Sequence, residues 1–360
     1  MSINNDIKEK FKSQYKRGLE GLNKGIPIPL TKLSEYICNI QQGTITLVGG
    51  STGSGKSTLI NEVAISAPLQ FLEDNPDRPE KYHCEYFNLE IQDVDVLAKF
   101  KANYIFKESQ YQIKLSPTKI FQKGDFILTD VEKDWIDRSD RYIDKLMDNV
   151  DFVAGENVSP EFFYKKLWEC AKKYGTMECD ADGKPLLHTW KAIDPNQYVV
   201  FIFDNLNNLN DKSKIDTLSS MCVTFRKLCN FTFFLIQQYN RSQETNFNHG
   251  GFQEPVLSDL KESGRTSDDA DTVILTYSPA RFGITEYLDY QLEELLGNNG
   301  QNLGDILRFA KIAKNRNGQD NKYIPYAFSG ARGIIKELPS PFQFSTNHQG
   351  CKENIINLFC

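Results

Sequence analysis

Apolar positions along this chain follow two rhythms. Near the N-terminus Ile7, Phe11, Tyr15, Leu19 and Leu22 recur every three or four residues, which predicts an amphipathic helix over residues 5–24 with one apolar stripe. "GIPIPL", residues 25–30, then ends it, because neither proline continues a helix well. Two readings of the stripe stand open: a helix packed on its own domain, or an arm that docks on a neighbouring subunit. Elsewhere longer apolar runs occur. "GTITLVGG" is a β-branched apolar run and "YHCEYFNLE" a second strand candidate; "QYVVFIFDNLNNL" reads as a strand buried on both faces, and "FTFFLIQQYN" and "ADTVILTYS" repeat that pattern. Helical spacing in "STLINEVAISA" and "VDVLAKFKANYI" falls between them. Strands that alternate with helices predict an α/β fold with a mainly parallel sheet.

The remaining segments add detail. The stretch from about 107 to 175 is charged and mostly helical in pattern. "MECDADGKPLLHTW" predicts a hairpin that turns at Asp182 and Gly183; the further ligands of a calcium loop are missing. "ILRFAKIAKNRNG" and "KYIPYAFSG" predict late strands, paired antiparallel. The last stretch, "STNHQGCKENIINLFC", reads as a surface tail. No internal repeat and no low-complexity tract is present.

Composition narrows the function classes. With 360 residues, 40% hydrophobic and 25% charged, the chain can bury a large core as an ordinary globular protein. No run of about 18 apolar residues occurs, so no membrane-spanning helix is expected. The polar N-terminus "MSINNDIKEKFKSQYKRG" reads as neither a signal nor a transit peptide, which points to the cytoplasm. Eight cysteines without a C-x-x-C pair read as free thiols rather than disulfides or a zinc site. The net charge of −6 means that any nucleic-acid contact must come from local positive charge.

"GGSTGSGKST" carries the chemistry. Gly50, Gly55, Lys56 and Ser57 fit G-x-x-x-x-G-K-[ST] between a predicted strand and a predicted helix. The candidate phosphate cradle is Gly50, Ser51, Thr52, Gly53, Ser54, Gly55, Lys56, Ser57 and Thr58. Backbone N–H groups at a helix N-terminus wrap phosphates, and the lysine neutralises them. Ser57 would place its hydroxyl on Mg²⁺. Asp204, which closes "VVFIFD", suits the cation's water shell. Glu90 closes "YFNLE" and would emerge on the same sheet edge to orient or deprotonate water. Gln238 ends "FFLIQQ", where a polar group could sense a γ-phosphate.

Taken in order, "GIPIPLTKLSEYICNIQQGTITLVGGSTGSGKST", "YFNLEI", "FIFDNLNNL", "LIQQYNRS", "PVLSDLKESGRTSDDADTVILTY" and "AKNRNG" resemble the C-terminal ATPase domain of DnaB-type replicative helicases. That family belongs to the RecA-like P-loop NTPases, and the resemblance runs from about 25 to 340. It implies that Glu90 is the catalytic base and Gln238 the γ-phosphate sensor. It implies that Lys314 and Arg316 reach the ATP of an adjacent subunit, Arg316 as an arginine finger. Lys261, Glu262 and Gly264 would fall in the loop that holds single-stranded DNA. The cofactors implied are ATP and Mg²⁺. The assembly implied is a head-to-tail ring, a homo-hexamer, with a primase or a helicase loader as further partners and 5′ to 3′ travel.

Some features depart from the family. Its N-terminal helical domain has no counterpart in these residues, and the chain starts about where the linker helix should be. That favours the docking arm for residues 1–24 and puts primase recruitment in doubt. Residues 25–340 would be the ATPase domain, with additions near 177–196 and 280–305, and 341–360 the tail. Gln237 stands where the family has serine. Size and analogy suggest a phage replication protein in the host cytoplasm. The rivals are a RecA/RadA-like recombination ATPase that forms filaments, and a non-motor accessory protein that binds single-stranded DNA or a helicase.

Overall fold

The computed structural model describes residues 3–154, 158–240, 254–260, 264–292 and 304–359. The first segment supplies α1 (Ile3–Leu19), α2 (Thr31–Ile37), β1 (Ile45–Gly50), α3 (Lys56–Asn61), a π-helical turn (Glu62–Ser66) and α4 (Ala67–Asp74). β2 (Lys81–Asn88), α5 (Asp93–Glu108), α6 (Pro117–Ile120), α7 (Asp130–Arg138), α8 (Asp140–Asn149) and β3 (Val150–Ala154) follow. Then come α9 (Pro160–Tyr174), β4 (Gly175–Thr176), β5 (Lys191–Ala192), β6 (Gln197–Asp204), α10 (Lys212–Cys229), β7 (Thr232–Gln238) and β8 (Thr272–Tyr277). The last strands are β9 (Glu286–Tyr287), β10 (Tyr290–Gln291), β11 (Leu307–Asn315), β12 (Lys322–Ser329) and β13 (Ile334–Glu337).

Nine of these strands form one sheet, in the order β13-β12-β11-β8-β1-β7-β6-β2-β3. β8, β1, β7, β6, β2 and β3 are parallel, and β11, β12 and β13 continue antiparallel. The five apolar runs read from the sequence are β1, β2, β6, β7 and β8, and β1 lies at the centre. The parallel sheet flanked by helices is RecA-like in architecture, as expected.

Alternation along each strand sends side chains to two cores. On β6, Val200 and Ile202 join one apolar cluster, together with Leu59, Ile60 and Phe100 from α3 and α5. Phe201 and Phe203 face the other, with Phe163 of α9 and Phe225 of α10. Phe87 stacks on Phe203 with ring centroids 4.4 Å apart, and Phe163 meets both edge-on.

Two features differ from the sequence reading, and one that it left open is narrowed. β3 lies inside the segment read as helical; its five residues give too short an alternation to stand out. Residues 341–359, expected as a surface tail, form helices Pro341–Ser345 and Cys351–Phe359 instead. Phe344, Ile355 and Phe359 are buried there, and Arg332 and Lys114 donate to the carbonyls of Leu358 and Asn357 at 2.8 and 2.9 Å. The buried residues are spread over two short helices, so no single long stripe marks the face. The N-terminal helix forms, but Ile7, Phe11, Tyr15 and Leu19 stay 61–73% exposed on α1, so the stripe is not packed on its own chain.

The hairpin region pairs β4 with β5 and turns through residues 180–183. β9 and β10 form a second small hairpin in the other expected addition. No described helix is long and apolar enough to cross a membrane.

Candidate functional site

β1 is buried along its whole length and runs into the glycine loop, from which α3 departs. Gly55 adopts φ of +93°, a conformation that suits glycine, and a side chain there would strike the Phe328 ring at 2.9 Å. Gly50 is equally confined: a Cβ would lie 2.3 Å from Ser54 Oγ and 2.5 Å from Thr276 Oγ1. Ser54 and Thr276 share a hydrogen bond of 2.9 Å, which ties the loop to β8. Lys56 folds back over the loop and donates to Ser51 O at 2.7 Å.

Three strands deliver side chains to the same edge. β6 ends at Asp204, which is buried. Ser57 Oγ donates to Asp204 Oδ1 at 3.0 Å, and Tyr86 of β2 donates to Oδ2 at 3.1 Å. Burial pushes the Asp204 carboxyl up to about 6, and the charge of Glu90 adds to this, while Ser57, Tyr86 and Lys56 pull the other way. Register places Glu90: Asn88 pairs with Asp204, so the chain leaves β2 beside the end of β6. Asn205 Nδ2 holds Glu90 Oε2 at 3.0 Å, and Leu89 N–H donates to Asp204 O at 2.7 Å. A small cavity is lined by Ser57, Thr58, Tyr86, Glu90 and Asp204, with Ile91 and Phe100 among its apolar walls. Gln238 ends β7 opposite Gly50, its N–H donated to Asn207 Oδ1 at 2.6 Å.

The two remaining basic candidates lie elsewhere. Lys314 and Asn315 at the end of β11 pair with Val273 and Thr272 at the start of β8, whereas the glycine loop adjoins Thr276 at its finish. Four strand positions at about 3.3 Å each put roughly 13 Å along the sheet between them. Lys314 Nζ donates to Ser267 O and Asp268 O at 2.6 and 2.8 Å. Arg316 donates to Asp268 O and lies 3.6 Å from Asp271 Oδ1. Burial lowers the Lys314 pKa, and the neighbouring Arg316 lowers it further. Of the candidate DNA residues, Lys261 and Glu262 lie outside the described residues. Gly264 opens the exposed start of helix Gly264–Asp269.

Sequence reasoning missed the residues that wrap the loop from behind. Arg308 of β11 is 1% exposed; its guanidinium donates to Gly53 O at 3.3 Å and lies 4.7 Å over the Phe328 ring. Arg281 pairs with Asp305 at 2.5 Å and reaches Thr52 O at 3.5 Å. The one signal was Arg308 inside the otherwise apolar stretch "ILRFA".

Residues 193–331 match the family described as DnaB-like helicase C terminal domain. That stretch holds Asp204, Gln238, Lys314 and Arg316; it does not include the glycine loop or Glu90. Among solved structures, the chain is similar to one described as an ATPase domain, with 16% identity and a TM-score of 0.64, over 94% of this chain and 99% of that one. It is also similar to a DnaB-like replicative helicase described with its primase interactions, with 16% identity and a TM-score of 0.62, over 94% of this chain and 67% of that one. No curated protein matches in sequence. The fold is that of these ATPase-domain structures, and residues 193–331 are similar to the DnaB-like helicase C terminal domain family.

Proposed function

We propose that this chain is a ring-forming motor of the DnaB type, which hydrolyses ATP between subunits to travel on single-stranded DNA and unwind duplex in replication. One observation carries the reading. Lys56, Ser57, Asp204 and Glu90 gather at one edge of the sheet, and Lys314 and Arg316 sit at the other. A single chain cannot close both sets on one nucleotide. Head-to-tail stacking of copies brings one edge against the other, and such contacts close into rings or run on as filaments. The exposed stripe of α1 supplies a further contact, a docking arm for the next subunit. A hexamer, travel from 5′ to 3′, and a primase or loader as partner belong to the proposal by family analogy.

In this reading residues 50–58 cradle the phosphates and Lys56 neutralises them. Ser57 and Asp204 would hold Mg²⁺: their oxygens, 3.0 Å apart, are the hard donors it prefers, and a cation would favour the ionised form of the buried carboxyl. The bound ion would supply charge neutralisation at the phosphates. Glu90 accepts the proton of the attacking water, oriented by Asn205. Gln238 reports the γ-phosphate from the end of β7. Arg316 of the neighbouring copy stabilises charge on the γ-phosphate oxygens, helped by Lys314. Lys261, Glu262 and Gly264 hold the DNA strand in the pore.

A forked-duplex assay tests the function. With ATP, the full chain should unwind a fork that carries a 5′ tail and leave one with only a 3′ tail intact. ATP turnover without any unwinding, together with filaments in negative-stain images, would favour the recombination ATPase instead.

A further inference from the structure

A polar cluster interrupts the apolar face of the sheet on the side of α9. His83 and Glu85 sit two apart on β2 and project to the same face, in line with Phe87. Glu85 pairs in register with Asp151 on β3. Cys170 lies on the inward face of α9, one and two turns beyond Leu167 and Phe163, and comes down on the two β2 residues. His83, Glu85 and Cys170 are all buried.

The distances form a pattern. His83 Nε2 is 3.4 Å from Glu85 Oε1, Cys170 Sγ is 3.4 Å from the same oxygen, and His83 Nε2 is 3.8 Å from Asp151 Oδ2. The ligand atoms of His83, Glu85 and Cys170 all lie within 4.8 Å of one another. In a tetrahedral site with Zn–N and Zn–O near 2.0–2.1 Å and Zn–S near 2.3 Å, neighbouring ligand atoms stand about 3.3 to 3.8 Å apart. The two 3.4 Å separations, His83 to Glu85 and Cys170 to Glu85, match edges of such a tetrahedron, and Asp151 would move a few tenths of an ångström closer to complete it. A second observation points the same way. Glu85 Oε2 is buried and has no hydrogen-bond partner among the described residues, and Lys166 Nζ stands 3.9 Å away. An under-partnered buried carboxylate is costly, and a metal ion bound through Oε1 would offset the burial of its charge.

We propose that His83, Glu85 and Cys170 form a structural Zn²⁺ site, with the half-exposed Asp151 carboxylate, 3.8 Å from His83 but outside that three-residue group, turning in as the fourth ligand. The donor set selects the metal. Imidazole, thiolate and carboxylate together suit zinc, whereas magnesium and calcium favour oxygen alone. As the Zn–S bond forms, the Cys170 thiol gives its proton to solvent. Two carboxylates and one thiolate against Zn²⁺ leave one negative charge, which Lys166 balances. Four protein ligands make the site closed and structural rather than catalytic. It would join β2, β3 and α9 behind the strand that leads to Glu90, independently of how that residue is used.

The test uses the full chain, stripped with EDTA, reconstituted with zinc chloride and desalted. Elemental analysis should find one zinc per chain. Cobalt(II) in place of zinc should give a thiolate charge-transfer band in the near ultraviolet and the visible bands of a tetrahedral centre. Cys170→Ser should lose the thiolate band, and Cys38→Ser, at an exposed cysteine, should keep it. If Cys170→Ser does not fold, Asp151→Asn decides, since that side chain is 52% exposed and tolerates change. It should fold and bind zinc at least tenfold more weakly. Zinc or chelator should shift the thermal midpoint of the wild type far more than that of Asp151→Asn. A wild type that retains no zinc, a thiolate band that survives Cys170→Ser, or zinc affinity unchanged in Asp151→Asn would overturn the site. The cluster would then be a buried His83–Glu85–Lys166 charge network.

Discussion

β11 and the turn after it carry two arginines with opposite fates. Arg308 is shut in against the glycine loop of its own chain, its side chain 1% exposed, with Gly53 O and the Phe328 ring as neighbours. Arg316 lies eight positions on, roughly 25 Å away at about 3.3 Å per residue, and its side chain is 44% exposed. The first shapes a pocket from within. The second is held by Asp268 and Asp271 at the far edge, away from any phosphate its own chain could bind. The same side chain is built in at one end of the strand and half-exposed at the other, the arrangement that the proposed shared site requires.

The comparison breaks most visibly at Lys56. Lys56→Ala removes the fixed charge in the cradle and should abolish ATP turnover. Normal hydrolysis in that variant would move the nucleotide away from this edge. Glu90→Gln should still bind ATP but hydrolyse it about 10²–10⁴ times more slowly, if the carboxylate is the general base. Single-turnover rates with labelled ATP separate binding from chemistry, and an unchanged rate would assign the base elsewhere.

A subtler effect follows from Asp204. Its carboxyl sits near 6 when folded, against 3.8 for its ordinary value. Between those values the folded state binds more protons than the unfolded one, so stability falls as pH rises from about 4 to 6. Without nucleotide or metal the loss is on the order of 3 kcal/mol. Urea midpoints at pH 4.5 and 7 should therefore differ more for the wild type than for Asp204→Asn. Equal pH dependence in the two would show that Asp204 does not titrate in this range. The smallest effect is expected at Lys261. Lys261→Ala should flatten the salt dependence of single-stranded DNA affinity by about one unit of slope for each phosphate it neutralises. ATP turnover without DNA should stay as it was. An unchanged slope would place the DNA contact on another segment.

What the sequence made legible follows from locality. The glycine loop is a contiguous stretch, and each of its geometric demands is written within it. Asp204 and Glu90 were found because each follows an apolar strand, and parallel register then brings them to one edge. Arg308, Arg281 and Phe328 meet the loop from three separate elements, so no local pattern marks them. The same holds for His83, Glu85 and Cys170: the absence of a C-x-x-C pair argued against zinc, yet β2 and α9 bring these three side chains together, with Asp151 of β3 3.8 Å from His83. The exposed stripe of α1 was legible as a helix, but the sequence left open which surface it covers.

The shared-site account is tested most directly by mixing two inactive proteins. Lys56→Ala has a dead cradle and an intact Arg316. Arg316→Ala has an intact cradle and no finger, and should lose about 10³–10⁵ in hydrolysis rate while still binding ATP. Co-assembled, some interfaces pair a good cradle with a good finger. The account predicts that ATPase activity partly returns in mixed assemblies verified by tag pull-down. Mixed assemblies that stay as inactive as either parent would contradict it, because an arginine acting within its own chain cannot be rescued by a neighbour.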